Sequence, residues 1–250
     1  MSDLWSLDLS PNYGGILSKY DHIGITLGIM WGSRGAPILD DEGSTEDVTS
    51  NTVLSAAPSV EPGGTPGATL WWDGFTIASN TIVGFLGLNG AGKTTTLKVI
   101  AGLLPPSAGT VQVDGEDLAS APESFRKRIG FLPETPPLYV EQTVREFLRF
   151  VGRLRGMPAA TVEARLPDVM TRCQLQGRED WVIGQLSHGY RKRVGIAQAI
   201  IHQPKLVILD EPISGLDPVQ IVEMRKVIRG LAQECTVLVS SHILSEIEQT

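Results

Sequence analysis

The chain has 250 residues, 42% hydrophobic and 20% charged, which suits one large domain with an appendage and is ordinary for a globular protein. Residues 1–80 hold ten acids against Lys19 and Arg34, a net of −8, so residues 81–250 sum to +1 and no basic surface for nucleic acid is implied. Two cysteines (Cys173 and Cys235) make no disulfide framework, the N-terminus has no leader pattern, and no apolar run approaches the ~18 residues that span a bilayer. Any membrane role is therefore expected to be exercised through a partner.

Residues 1–69 show no sustained period. "DDEGSTEDVTSN" (40–51) and the Pro/Gly-rich "APSVEPGGTPGAT" (57–69) read as an acidic, poorly ordered segment ending in a linker, with "HIGITLGIMWG" as an interrupted strand. From about residue 70 the texture changes to strands alternating with helical patterns, the mark of a parallel α/β sheet. "TIVGFL" (81–86) reads as a strand leading into a helix over 93–104. "TVQVDG" (110–115) closes on Asp-Gly, a hairpin signal. "TVREFLRFVGRL" (143–154) opens with Thr143 and Glu146 in capping-box spacing and sets Val144, Phe147, Leu148, Val151 and Leu154 on one helical face. "RKRVGIAQAII" (191–201) predicts a further helix. "LVILD" (206–210) and "TVLVSS" (236–241) are continuous apolar runs that suit the buried centre of a parallel sheet.

Between the first strand and its helix lies "GLNGAGKT", in which Gly87-x-x-x-x-Gly92-Lys93-Thr94 is a phosphate loop in its confirming context. The backbone of Gly87, Leu88, Asn89, Gly90, Ala91 and Gly92 can curl its N–H groups around phosphate oxygens. Lys93 offers a charge to the β- and γ-phosphates, and Thr94, with Thr95 beside it, places a hydroxyl for Mg²⁺. "LVILDEP" sets Asp210 and Glu211 at the end of a buried strand, where ligands of such sheets bind. Asp210 is expected in the Mg²⁺ shell, and Glu211 as the group that orients or deprotonates the attacking water. This pairing favours hydrolysis over transfer to an acceptor.

With "LSHGY" (186–190) before a helix, the sequence resembles the ATP-binding subunits of ABC transporters, whose signature runs Leu-Ser-Gly-Gly-Gln. The resemblance covers roughly residues 74–250. After the phosphate loop it takes in, in order, "GTVQVDGEDL" (109–118), "IGFLPE" (129–134), the signature, "LVILDEP", "SGLD" (214–217) and "SSH" (240–242). It implies a P-loop NTPase (RecA-like) α/β core with an inserted helical subdomain at about 135–185, and ATP with Mg²⁺ as ligands. The implied partners are a second ATP-binding protomer, paired head to tail, and integral membrane permease subunits. The implied place is the cytoplasmic side, peripheral on the inner face of the cell membrane. Tyr190 and "LPETPPLY" look most like the exporter-driving branch whose membrane subunits are separate chains. The resemblance makes Ser187 and Gly189 the anion-binding helix start that meets the partner's γ-phosphate, a role suited to free N–H groups. It makes His242 the switch histidine and sets Asp217 at the dimer interface.

Some positions depart from the family. Glu134 stands where glutamine is usual and is expected as a Mg²⁺ ligand, since a carboxylate is a hard oxygen donor. His188 replaces a signature glycine. The window that should hold an adenine-stacking aromatic reads "SVEPGG" (59–64), with Trp71 and Trp72 the nearest aromatics, and the chain stops eight residues after His242, so an altered N-terminus and a C-terminal truncation are expected. A soluble ABC-type ATPase not linked to transport and an inactive nucleotide-binding fragment stand as alternatives.

Overall fold

The computed structural model describes residues 22–23, 53–55, 77–87, 92–106, 111–113 and 116–242. β1 (His22–Ile23) pairs antiparallel with β3 (Ile77–Ala78), while β2 (Val53–Ser55) lies parallel to β4 (Ile82–Leu86). The acidic segment 1–69, set apart in the sequence reading, thus lends three residues to a sheet edge that would otherwise present open N–H and C=O groups. Its other residues, apart from β1, lie outside those described, as do Trp71 and Trp72.

The chain then forms α1 (Lys93–Ile100), a small antiparallel pair of β5 (Gln112–Val113) and β6 (Glu116–Asp117), α2 (Pro122–Lys127) and β7 (Ile129–Leu132). Val113 pairs with Glu116 as the expected hairpin requires, while Asp114 and Gly115 themselves lie outside the described residues. α1 stops at Ile100 rather than running to 104. Gly102, at φ 69°, donates its N–H to Val99 while Leu103 donates to Lys98, a closure that turns the chain out of the helix and leaves Leu103 and Leu104 exposed.

α3 (Val144–Leu154) and α4 (Ala159–Arg172) fall within the range expected of a helical subdomain, followed by one 3₁₀ turn at Ile183–Gln185. The Thr143 and Glu146 capping box forms as read, and Arg149 clasps Glu163 across the two helices at 2.6 and 2.7 Å. Val144, Phe147, Leu148 and Val151 are buried, but Leu154 in the last turn is 73% exposed and leaves the stripe. α5 (His188–Ile200), β8 (Leu206–Asp210), α6 (Pro218–Leu231) and β9 (Thr236–Ser241) complete the described chain.

The main sheet has the order β2-β4-β9-β8-β7, all parallel. Every residue of β8 and β9 is buried, because helices cover both faces. Alternate residues sort accordingly: Leu206, Ile208 and Leu238 pack with Phe85, Leu97 and Phe125, whereas Val207, Leu209, Val237 and Val239 pack with α3, α4, α5 and α6. No helix among the described residues is long and apolar enough to cross a membrane.

Candidate active site at the strand ends

The carboxyl ends of β4, β9 and β8 lie side by side. Leu86 is opposite Ser241 and Asp210 opposite Ser240, so the next residues along, Gly87, His242 and Glu211, emerge together at one edge of the sheet. In a parallel sheet this is where a ligand is met. Leu88, Asn89, Gly90 and Ala91 lie outside the described residues. Both ends of their loop are described. Gly92 enters α1 at φ 88°, ψ 7°, a left-handed turn suited to a residue with no Cβ. Buried Lys93 reaches back to donate to the Gly87 carbonyl at 2.7 Å. Thr95 is exposed beside Thr94 on the first turn of α1.

The two strand-end acids are held differently. Asp210 is fully buried, and each of its oxygens accepts a hydroxyl: Oδ1 from Ser240 at 2.7 Å and Oδ2 from Thr94 at 2.8 Å. The Thr94–Asp210 pair thus brings two hard oxygens to one point, the donor chemistry of a site for Mg²⁺, which takes one or two carboxylates and completes its shell with water and substrate phosphate. Among the described residues no group of three or more His, Cys, Asp or Glu is placed to hold a metal ion.

Glu211 turns sharply off the strand with φ 48°, a left-handed conformation costing a non-glycine residue about 1–2 kcal/mol. Its N–H donates to Ser240 Oγ at 3.0 Å. Its carboxylate lies between two nitrogens, 3.5 Å from Lys93 Nζ and 3.0 Å from His242 Nδ1. A carboxylate only accepts, so the proton in the latter contact sits on Nδ1. The His242 side chain is about one-third exposed and Glu211 one-tenth, which places the pair at the mouth of the site.

Glu134 follows β7 and is exposed. The contact tying it to the site is its backbone carbonyl, which accepts from Lys192 Nζ at 2.6 Å. Ser187 caps α5, its hydroxyl accepting from the Tyr190 N–H, and Gly189 is buried against Gln220 of α6. His188, exposed, stands beside Gly215 of the "SGLD" loop. Asp217 caps α6 by accepting from the Gln220 N–H at 2.9 Å. The structure therefore brings Lys93, Thr94, Asp210, Glu211 and His242 into one constellation and sets Ser187 and Gly189 at a separate helix start. The sequence reading missed Ser240 and Lys192, which hold the two acids. Lys192 was detectable in principle, because it shares a helical face with Ile196, Ala199 and Ile200, all buried.

Comparisons with known proteins agree with this architecture. The family profile described as ABC transporter matches residues 73–214, more than half of the chain. The bacitracin transport ATP-binding protein BcrA of Bacillus licheniformis is 41% identical over 175 residues, covering 69% of this chain and 56% of that protein. The Nod factor export ATP-binding protein I of Burkholderia lata is 38% identical over 176 residues, covering 70% of this chain and 58% of that one. The chain thus spans somewhat over half the length of these relatives. A solved structure of an ATP binding subunit of an ABC transporter superposes with a TM-score of 0.64 at 36% sequence identity, covering 75% of this chain and 78% of its own. With the strand-end constellation, the matched profile and these relatives in agreement, the chain belongs to the ABC transporter family and carries its ATP-binding domain.

Proposed function

We propose that this chain binds and hydrolyses ATP to energise an ABC transporter of the exporting kind, working as a head-to-tail dimer that encloses nucleotide between protomers. The observation that supports it most is the Glu211 carboxylate, held at the strand end between Lys93 and His242.

In this reading Lys93 leaves the Gly87 carbonyl for the β- and γ-phosphates, which the loop amides cradle. Thr94 and Asp210 would hold Mg²⁺, which supplies charge neutralisation on the phosphate oxygens. Glu211, relieved of Lys93, orients the attacking water and accepts its proton. His242 keeps the Glu211 carboxylate aligned through Nδ1–H, and as an imidazolium it would also donate from Nε2 to the γ-phosphate. Ser187 and the Gly189 amide, at the start of α5, present free N–H groups to the γ-phosphate held by the opposite protomer. The exporting direction rests on relatives named for bacitracin transport and Nod factor export. Separate integral membrane permease subunits supply the path, with this chain docked against them on the cytoplasmic face.

Glu211→Gln tests the hydrolytic role. Phosphate release falls by about a hundredfold or more, the usual scale for losing a general base, while ATP affinity stays within about threefold. A variant that still turns over within about tenfold of the parent removes Glu211 from the chemistry, since tenfold is only ~1.4 kcal/mol.

A further inference from the structure

Lys192 is 1% exposed on the inner face of α5. A lysine ammonium seldom accepts such burial, because leaving water costs several kcal/mol unless its protons find acceptors. Here the acceptors are two backbone carbonyls from two other elements. Nζ donates to Glu134 O at 2.6 Å, just past β7, and to Glu211 O at 3.1 Å, just past β8. Burial lowers the pKa of the ammonium, while the Glu134, Asp210 and Glu211 carboxylates pull it back up. Burial outweighs the carboxylates, so the charge is held against a desolvation cost that the two carbonyls partly offset.

The Glu211 end of the contact explains a second oddity. A left-handed glutamate does not hold itself there; surrounding contacts must over-determine it. Ser240 fixes its N–H, Lys192 and the Ser214 N–H fix its C=O, and the side chain is thereby aimed at Lys93 and His242. The same ammonium holds the loop that leads into the helical region beginning at α3. Lys192 lies on the helix that Ser187 caps, so three pieces converge on one nitrogen: the signature helix, the turn at Glu211 and the loop at Glu134.

We propose that Lys192 is a positioning residue that braces the left-handed turn at Glu211 and fastens the Glu134 loop to it, so that displacement of that loop is transmitted to the geometry of the catalytic carboxylate. This deepens the hydrolytic reading and rests on it for its catalytic consequence.

The test uses the full chain and two variants. Lys192→Met keeps length and burial but removes every donor; Lys192→Gln restores amide donors without charge. Hydrogen–deuterium exchange reads the brace whether or not ATP is hydrolysed. In the Met variant, exchange rises about tenfold in segments 134–139 and 211–216 together, as expected for losing a hydrogen bond to a charged group, while α4 stays within about twofold. In the same variant kcat for phosphate release falls about tenfold or more with ATP affinity within about twofold, and Gln recovers part of both effects. Exchange that rises in only one segment, or everywhere alike, overturns the brace, as does a Met variant with unchanged kcat. A wild-type chain that releases no phosphate sinks the hydrolytic reading instead, and the exchange data still decide whether Lys192 joins the two turns.

Discussion

Several residues that matter most here look ordinary in a one-dimensional reading. "RKRVG" resembles a solvated charge run, yet Lys192 and Arg193 are 1% and 5% exposed. Their burial follows from α5 lying against the sheet, which for Lys192 is foreshadowed by the apolar residues that share its helical face. His202 is a similar case. Its Nε2 lies 3.0 Å from the Ile129 carbonyl and so carries the proton, while Nδ1 is buried with no partner among the described residues. Burial first, and then the Arg155 guanidinium, push its pKa down from 6.5 to about 4. The folded state thus keeps His202 neutral where the unfolded chain protonates it. Its contribution is fully present above pH 6.5 and is lost as pH falls towards 4, by at most about 3 kcal/mol at ~1.4 kcal/mol per unit. Urea unfolding of the parent and of His202→Gln at pH 7 and pH 4.5 checks this. The parent loses more stability than the variant, and equal losses assign the pH dependence to other groups.

At the level of elements, legibility followed periodicity. β4, β8, β9, α3 and α5 announce themselves as apolar runs or stripes, and the phosphate loop and strand-end acids are fixed by their spacing from those strands. What the pattern missed depends on closure in three dimensions. The end of α1 is set by a glycine turn rather than by polarity, and Leu154 is 73% exposed although Val151 and Gly152 of the same turn are buried. The left-handed turn at Glu211 has no signature in an Asp-Glu-Pro string. Close packing of β7 on α5 is equally silent in sequence, though it yields a sharp expectation. A Cβ on Gly130 would stand 2.1 Å from the Ala199 carbonyl oxygen, a backbone atom with no rotamer to give way. Gly130→Ala must lift α5 from the sheet and costs about 1–3 kcal/mol, read as a lowered urea midpoint. An unchanged midpoint would show that the helix can shift freely.

For the whole molecule, the arrangement leaves each half of the proposed nucleotide enclosure on a different part of the surface. The phosphate-loop end of the sheet and the start of α5 are built by different segments, so in the proposed head-to-tail dimer each protomer would complete its site with the Ser187 of the other. Light scattering on Glu211→Gln therefore shows the mass doubling on addition of ATP and Mg²⁺, and Ser187→Arg, which crowds that helix start, prevents it. A protein that stays monomeric at saturating ATP removes the sandwich from the reading.

The strand order has a consequence for biosynthesis. β9, the last described strand, sits between β4 and β8 rather than at an edge, and its pairing of Leu86 with Ser241 joins positions 155 residues apart. At ribosomal speed β4 waits about 10–30 s for its inner neighbour. Through that interval the nascent chain holds Val83 and Phe85 without the β9 residues that will pair with them. Contacts of such long range also make for slow folding. The ends of β4, β8 and β9 therefore come together only after residue 242 has been made, and the growing chain has reason to be shielded by a chaperone until β9 slides into the middle of the sheet.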